Sequence, residues 1–235
     1  MQKSVTIISG GMDSAVMAYH LKDQGYEQEF LSFDYGQKHK KELEYAANLA
    51  GNRRHRIINL TDITQFLTSS SLTSNVDVPD GHYNENSMRT TVVPNRNAMM
   101  LSIAFSVASA LEYNWVAIGV HSGDRYNYPD CRLEFTQAFQ EMQNKALDGF
   151  PTPHLLTPFI AFTKADIARL GGKLKVPFEA TWSCYKGGDV HCGRCGTCVE
   201  RLEAMDLAGV EDKTIYADKE FWKEAVSDYE HQHGN

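Results

Sequence analysis

The chain has 235 residues, of which 42% are hydrophobic and 23% charged, with a mean hydropathy of -0.41; this is the composition of an ordinary globular protein and excludes disordered and collagen-like classes. No stretch approaches the roughly 18 apolar residues of a membrane-spanning helix, and at about 150 residues per domain the length predicts one to two domains. The 23 Lys and Arg against 30 Asp and Glu leave a net charge of -7, which argues against a nucleic-acid partner.

Residues 4–9 (SVTIIS) read as a buried strand. The apolar run is too short for a secretory signal and passes straight into a glycine turn, so a cytoplasmic protein is expected. Residues 14–24 carry apolar side chains at helical spacing and stop at Gly25. Residues 29–33 predict a second strand, 38–50 a charged amphipathic helix closed by Gly51, and 53–60 a third strand with Ile57, Ile58 and Leu60. Two crossovers in succession imply parallel strands.

Residues 73–94 hold two prolines, many polar residues and no period; a loop of this length is either a lid over a site or a disordered segment. Residues 95–111 predict a strongly apolar helix with Asn95 as N-cap, 115–120 (WVAIGV) a fourth strand, and 132–147 another helix. A helix opening at Thr163 is expected to end at Gly171-Gly172. The alternation predicts an α/β fold with a doubly wound parallel sheet. The expected organisation is a nucleotide-binding part over 1–150 and a small helical, metal-binding region over 151–235. Within 211–235, seven acids stand against three bases, which reads as a solvated helix and end, with His231 and His233 as an ordinary terminal pair.

Between the first strand and the first helix lies Ser9-Gly10-Gly11-Met12-Asp13-Ser14. Two glycines permit a tight turn with positive φ, and N–H groups at a helix start cradle phosphate with the help of the helix dipole. The Ser9 and Ser14 hydroxyls add donors. A Walker A loop is excluded, because its lysine is absent. The complete string resembles the pyrophosphate-binding PP-loop of ATP pyrophosphatases. Asp13 beside phosphates would repel them unless a cation intervened, and magnesium is the natural bridge; the plainer reading is that Asp13 caps the helix.

Four of the five cysteines, Cys184, Cys192, Cys195 and Cys198, fall within fifteen residues rich in glycine and turn formers. Five cysteines in a cytoplasmic chain argue for metal or catalysis rather than a disulfide framework. Four thiolates close a tetrahedral zinc site with no open position, hence a structural one, and would fold a segment poor in apolar residues. An iron-sulfur cluster is the competing reading. His191 lies within the stretch but four cysteines make it unnecessary as a ligand.

Further strings complete a pattern: FDYGQKH at 33–39, VPNRN at 93–97, Gly119-Val120 before a polar loop, and YPDCR at 128–132. With the PP-loop and the four cysteines they span nearly the whole chain except the tail, and the sequence resembles the 7-cyano-7-deazaguanine synthase (QueC) family. The resemblance implies a PP-loop fold of the adenine nucleotide alpha-hydrolase type, one structural Zn2+ on the four cysteines, and Mg2+ with ATP. It also implies a homodimer and ATP-dependent conversion of 7-carboxy-7-deazaguanine to the nitrile with ammonia.

On this resemblance Ile8, Ser9, Gly10, Gly11, Asp13 and Ser14 hold ATP, with Arg96 stabilising phosphate or adenylate charge; the plainer reading of Arg96 is a surface cation. Tyr35, Gln37, His121, Asp124, Tyr128, Asp130, Cys131 and Arg132 are the candidate substrate contacts. Asp124 and Asp130 would accept from the base's amino and ring N–H groups and Arg132 would hold its carboxylate. Cys131 is either a nucleophile or a small buried side chain. Two departures fall beside the acceptor site: Asn95 stands where the family string has Gly, and the positions 119–124 read GVHSGD instead of GVCETD. Two alternatives follow. One is an antiphage (CBASS-type) enzyme that joins the activated acid to a protein amine; the other is a catalytically silent nucleotide-binding module.

Overall fold

The strands β1 (Gln2–Ile7), β2 (Tyr26–Asp34), β3 (His55–Asn59), β4 (Trp115–Ala117) and β5 (His154–Leu156) form one sheet in the order β3-β2-β1-β4-β5. Every pairing is parallel, with Ile7 beside Leu31 and Thr6 beside Ala117. The computed structural model describes residues 2–82, 89–123 and 128–233, without the side chains of Thr64 and His233. The helices that bear on the site are α1 (Met12–Asp23), α2 (Lys41–Ala50), α3 (Arg96–Ala110), α4 (Leu133–Ala146), α5 (Lys164–Lys173), α6 (Gly196–Ala208) and α7 (Phe221–His233).

Alternation along the strands explains the two covered faces. Val5, Ile7, Leu31 and Phe33 pack with Met100, Leu101, Ala104 and Phe105 of α3. Ile8 and Phe30 pack on the other side with Ala18 of α1 and Ala46 of α2. The chain builds outward from β1 to β3 and then returns to place β4 on the other side of β1. This reversal opens a crevice at the carboxyl ends of β1 and β4, the usual ligand position in such sheets.

Four differences from the sequence expectations have physical reasons. The predicted fourth strand over 115–120 stops at Ala117, because its partner β5 is only three residues long; Ile118 donates to the Leu156 carbonyl at 3.1 Å and Gly119 and Val120 then turn to line the crevice. The helix from Thr163 runs through Gly171-Gly172 to Lys173. A Cβ at Gly171 would lie 2.4 Å from Phe178 Cζ and 2.7 Å from Val16 Cγ2, so this glycine serves close packing against α1. The helix ends instead on Lys175 at φ 57°, with Val176 donating to Gly171 and Lys175 to Gly172, a Schellman closure.

Asn95 stands at the N-cap position of α3 but in the left-handed region, and its side chain caps nothing. The cap comes from elsewhere: Asp130 Oδ2 accepts the Asn97 N–H at 2.9 Å. The acidic stretch 211–235 is not wholly solvated, since Asp212 is buried.

Residues on both sides of position 150 share one packed interior. Met12, Val16 and Met17 of α1 pack with Phe159, Ile167 and Ala168, and β5 extends the sheet beyond that position. At its centre the fully buried Arg201 forms a two-pronged ion pair with Asp212 at 2.9 and 3.2 Å and donates to Thr181, Ser183, Thr214 and the Phe178 carbonyl. Tyr216 donates to Asp212 at 2.7 Å. Such a network is satisfied on every side, which buried charges require.

Candidate active site and metal centre

Gly10 is the hinge of the phosphate loop. At φ 88° it occupies a conformation that favours glycine, and a Cβ there would meet the Glu42 carbonyl at 2.1 Å and Ala46 N at 2.7 Å. Gly11 stands at the N-cap of α1 with no side-chain cap, leaving the first N–H groups of the helix to a ligand. The two serines preorganise the turn: Ser14 Oγ donates to the Gly11 carbonyl at 3.0 Å and accepts the Ser9 N–H at 3.2 Å, while Ser9 Oγ accepts from Gly11 N–H. Trp182 donates its backbone N–H to the Gly10 carbonyl at 2.9 Å, so the cysteine-bearing segment braces the loop directly.

A cleft of about 220 Å³ opens over this loop. Of the expected residues, Ile8, Ser9, Gly11, Asp13, Ser14, Tyr35, Arg96, Tyr128 and Cys131 line it. Gly10 is not in the lining but faces Glu42 and Ala46 of α2. Gln37 is buried outside the lining, where its amide donates to Phe33 and Glu42 and accepts from Tyr35 N–H. His121 is buried and accepts from Gly123 N–H at 3.1 Å, Asp130 caps α3, and Arg132 is exposed. Cys131 is buried, with Asn97 donating to its Sγ at 3.2 Å. Asp124 lies outside the described residues.

Asp13 does not cap α1; its Oδ2 accepts from Lys164 Nζ at 2.6 Å, and Lys164 also reaches Glu200 at 3.4 Å. Burial pushes the Asp13 carboxyl up, but the charge of Lys164, then that of His121, and the Lys164 hydrogen bond hold it below its ordinary value. Its Oδ1 is buried and has no hydrogen-bond partner among the described residues. An orphaned carboxylate oxygen beside a phosphate loop suits a hard divalent cation, so this residue fits Mg2+.

Arg96, the first residue of α3, donates to the Tyr35 hydroxyl at 3.2 Å, and its guanidinium lies 5.6 Å from that ring's centre. Burial pushes Tyr35 up to about 12, so the hydroxyl stays protonated. Two further residues of the lining, His39 and Glu42, feel the charge of Arg96. Lys164, Glu200, His39, Glu42 and Tyr185 were not among the sequence candidates. The Thr163-Asp166 capping box fixes where α5 begins and thereby presents Lys164, but nothing local says that this helix end faces a loop 151 residues earlier.

The sulfur atoms of Cys184, Cys192, Cys195 and Cys198 all lie within 4.8 Å of one another, and none forms a disulfide. Backbone N–H groups of Cys192, Arg194 and Cys195 point at Sγ atoms at 3.2 to 3.4 Å, contacts that favour thiolates. The four sulfurs fit a metal of the zinc type, whose Zn–S bonds of ~2.3 Å require such a cluster. His191 stays out: its Nε2 accepts from Ser183 N–H at 3.0 Å, its ring packs 4.3 Å from Trp182, and burial pushes it down to about 3. The long loop reaches this centre, since Asp80 pairs with Cys195 in a β-bridge and contacts Lys186 and Arg194, and Gly81 donates to the Arg194 carbonyl at 2.9 Å.

A doubly wound parallel sheet with this loop at its switch point defines a PP-loop protein of the adenine nucleotide alpha-hydrolase type. The model of the family described as "Queuosine biosynthesis protein QueC" matches residues 3–209, and the chain belongs to that family. It is 53% identical over 231 residues to the 7-cyano-7-deazaguanine synthase of Paracoccus denitrificans, covering 97% of this chain and 99% of the relative. It is 54% identical to the protein of the same name from Brucella anthropi, covering 95% and 97%. Among solved structures, NMN synthetase from Francisella tularensis superposes with a TM-score of 0.50 at 16% identity, over 98% of this chain and 83% of that one, a likeness of fold. Among the described residues, no helix is long and apolar enough to cross a membrane.

Proposed function

We propose that the chain uses ATP to convert 7-carboxy-7-deazaguanine to 7-cyano-7-deazaguanine, with ammonia as nitrogen donor. The observation that carries this reading is that a chain similar over almost its full length to synthases of that name gathers its phosphate loop, Arg96, Tyr128 and Cys131 around one cleft. A carboxylate is a poor electrophile. Transfer of AMP to it, with release of pyrophosphate, supplies a leaving group; ammonia displaces AMP to give the amide, and a second activation of the amide oxygen permits its loss and leaves the nitrile.

Ile8, Ser9, Gly10, Gly11 and Ser14 hold the phosphates through N–H groups and hydroxyls. Asp13 would hold Mg2+, which when bound neutralises the charge of the departing pyrophosphate. Arg96 stabilises the charge on the adenylate phosphate. Tyr35, His121, Tyr128, Cys131 and Arg132 shape or contact the base, Asp124 accepts from it, and Gln37 and Asp130 position the residues around it. Cys184, Cys192, Cys195 and Cys198 would hold one structural Zn2+, which closes the segment that braces Gly10.

Mass spectrometry of a reaction with magnesium-ATP, 7-carboxy-7-deazaguanine and ammonium tests the reading, with Asp13→Ala as control. Free nitrile from the parent protein and none from the variant is the expected result. AMP and pyrophosphate without amide or nitrile would overturn it in favour of another acceptor, and ATP binding without cleavage would leave a silent nucleotide-binding module.

A further inference from the structure

Glu42, in the first turn of α2, and His39, on the segment that leads into it, form a buried titratable pair in the wall of the cleft. Glu42 is 8% and His39 2% exposed, yet both line the cleft together with Arg96. Gln37 donates to Glu42 Oε1 at 3.0 Å, and His39 Nε2 stands 3.5 Å from Glu42 Oε2. His39 Nδ1 is buried and has no hydrogen-bond partner among the described residues, and the ring packs 4.8 Å from that of Tyr185. The charged and titratable groups facing the pair are Tyr35 on the same segment, Arg96 from α3 and Tyr185 from the cysteine segment. The backbone carbonyl of Glu42 abuts Gly10, so one residue touches the phosphate loop with its main chain and the cleft with its carboxylate.

Among the described residues no formal cation lies within hydrogen-bond distance of the Glu42 carboxyl; burying such a group is costly, and groups of this kind cluster at functional sites. We propose that Glu42, held by Gln37 and backed by His39, is the general base that takes the N–H proton from the amine nucleophile in this cleft. The inference rests on the proposed function. In the amide-forming step the ammonia nitrogen bonds to the acyl carbon, the bond from that carbon to the AMP oxygen breaks, and AMP leaves with the electron pair. The surplus N–H proton passes to a Glu42 carboxylate oxygen. Burial, opposed by the Gln37 hydrogen bond and the Arg96 charge, pushes the Glu42 carboxyl up to about 7, near the optimum for a base at neutral pH. Burial, with Arg96, pushes His39 down to about 3, so the ring stands 3.5 Å from the carboxyl as a neutral neighbour rather than its counter-ion.

The test separates the half-reactions of the magnesium-loaded enzyme. Single-turnover pyrophosphate release with 7-carboxy-7-deazaguanine reports adenylation, and amide plus nitrile formation at a fixed concentration of unprotonated ammonia reports nitrogen transfer. Glu42→Gln, which keeps shape and the contact with Gln37, is expected to slow nitrogen transfer ~100-fold or more while adenylate accumulates. The parent rate of that step should rise with pH through about 7, and the variant should lose this limb. Equal loss of both half-reactions in a folded variant, or parent-like nitrogen transfer, overturns the proposal. If Glu42→Gln does not fold, Glu42→Asp and His39→Asn replace it, and an unaltered pH limb in both overturns the proposal. Absence of pyrophosphate release from the parent protein is the distinct signature of failure of the functional reading itself.

Discussion

Lys164 Nζ lies 2.6 Å from Asp13 Oδ2, joining the first turn of α5 to the first turn of α1. This ammonium sets a positive charge beside the carboxylate at the mouth of the phosphate loop. Lys164 is therefore placed to follow phosphate charge as it develops. Lys164→Met is expected to lower pyrophosphate release ~100-fold, the scale for loss of one charge-stabilising donor. Thermal unfolding should move by only a few degrees. A variant with parent-like turnover would make the contact a purely structural one.

Gly171 tests a packing argument. Gly171→Ala forces a Cβ into Phe178 and Val16, overpacking that costs about 1–3 kcal/mol. At ~2–4 °C per kcal/mol for a chain of this size, a Tm drop of roughly 2–12 °C is expected. Gly188→Ala, whose Cβ would meet nothing nearer than 3.7 Å, should leave Tm unchanged.

The Arg201–Asp212 pair makes a prediction in acid. Burial pushes the Asp212 carboxyl up, but Arg201 and hydrogen bonds from Arg201, Thr214 and Tyr216 outweigh burial and hold it well below its ordinary value. A carboxyl depressed in the folded state contributes stability that is fully present above its unfolded value of ~3.9 and lost as pH falls below that value towards the folded one. Tm should therefore fall as pH drops below about 4, and Asp212→Asn should flatten that fall. Arg201→Leu at neutral pH leaves a buried charge unpaired and is expected to cost about 3–5 kcal/mol, read by denaturant titration.

How far these features were legible in the sequence depends on range. The string around Gly10 announces itself, because a strand, two glycines and a helix start are consecutive. The four cysteines do the same, since their sulfurs are gathered by one short segment. Gly171-Gly172 misleads: a glycine pair signals a helix end unless a neighbour needs the space, and Phe178 and Val16 are that neighbour. β5 is three residues long and carries too little pattern to be read. Gln37 and Asp130 stand out in the sequence, yet their roles as brackets for Glu42 and for the start of α3 depend on partners that only the fold supplies. Lys164 and Glu200 have no signal at all, because they meet Asp13 only through the packing of α5 and α6.

Metal removal offers a fourth test. Elemental analysis is expected to return one zinc per chain. Stripping it with a chelator should raise amide hydrogen exchange first around Cys184 to Cys198, then at Asp80 and Gly81, which dock there, and at Gly10, which Trp182 braces. Exchange confined to the cysteine segment would show that the metal does not support the phosphate loop.

The hydrogen bond from Trp182 to Gly10 also fixes an order of events during synthesis. The phosphate loop is made some 150 residues before Lys164 and Trp182, which neutralise and brace it. Until then β1 and its turn wait without Lys164 or Trp182, so a nascent chain carries no finished nucleotide site. Ribosome-bound chains of increasing length should acquire ATP binding abruptly, once the segment through Cys198 has emerged, rather than strand by strand.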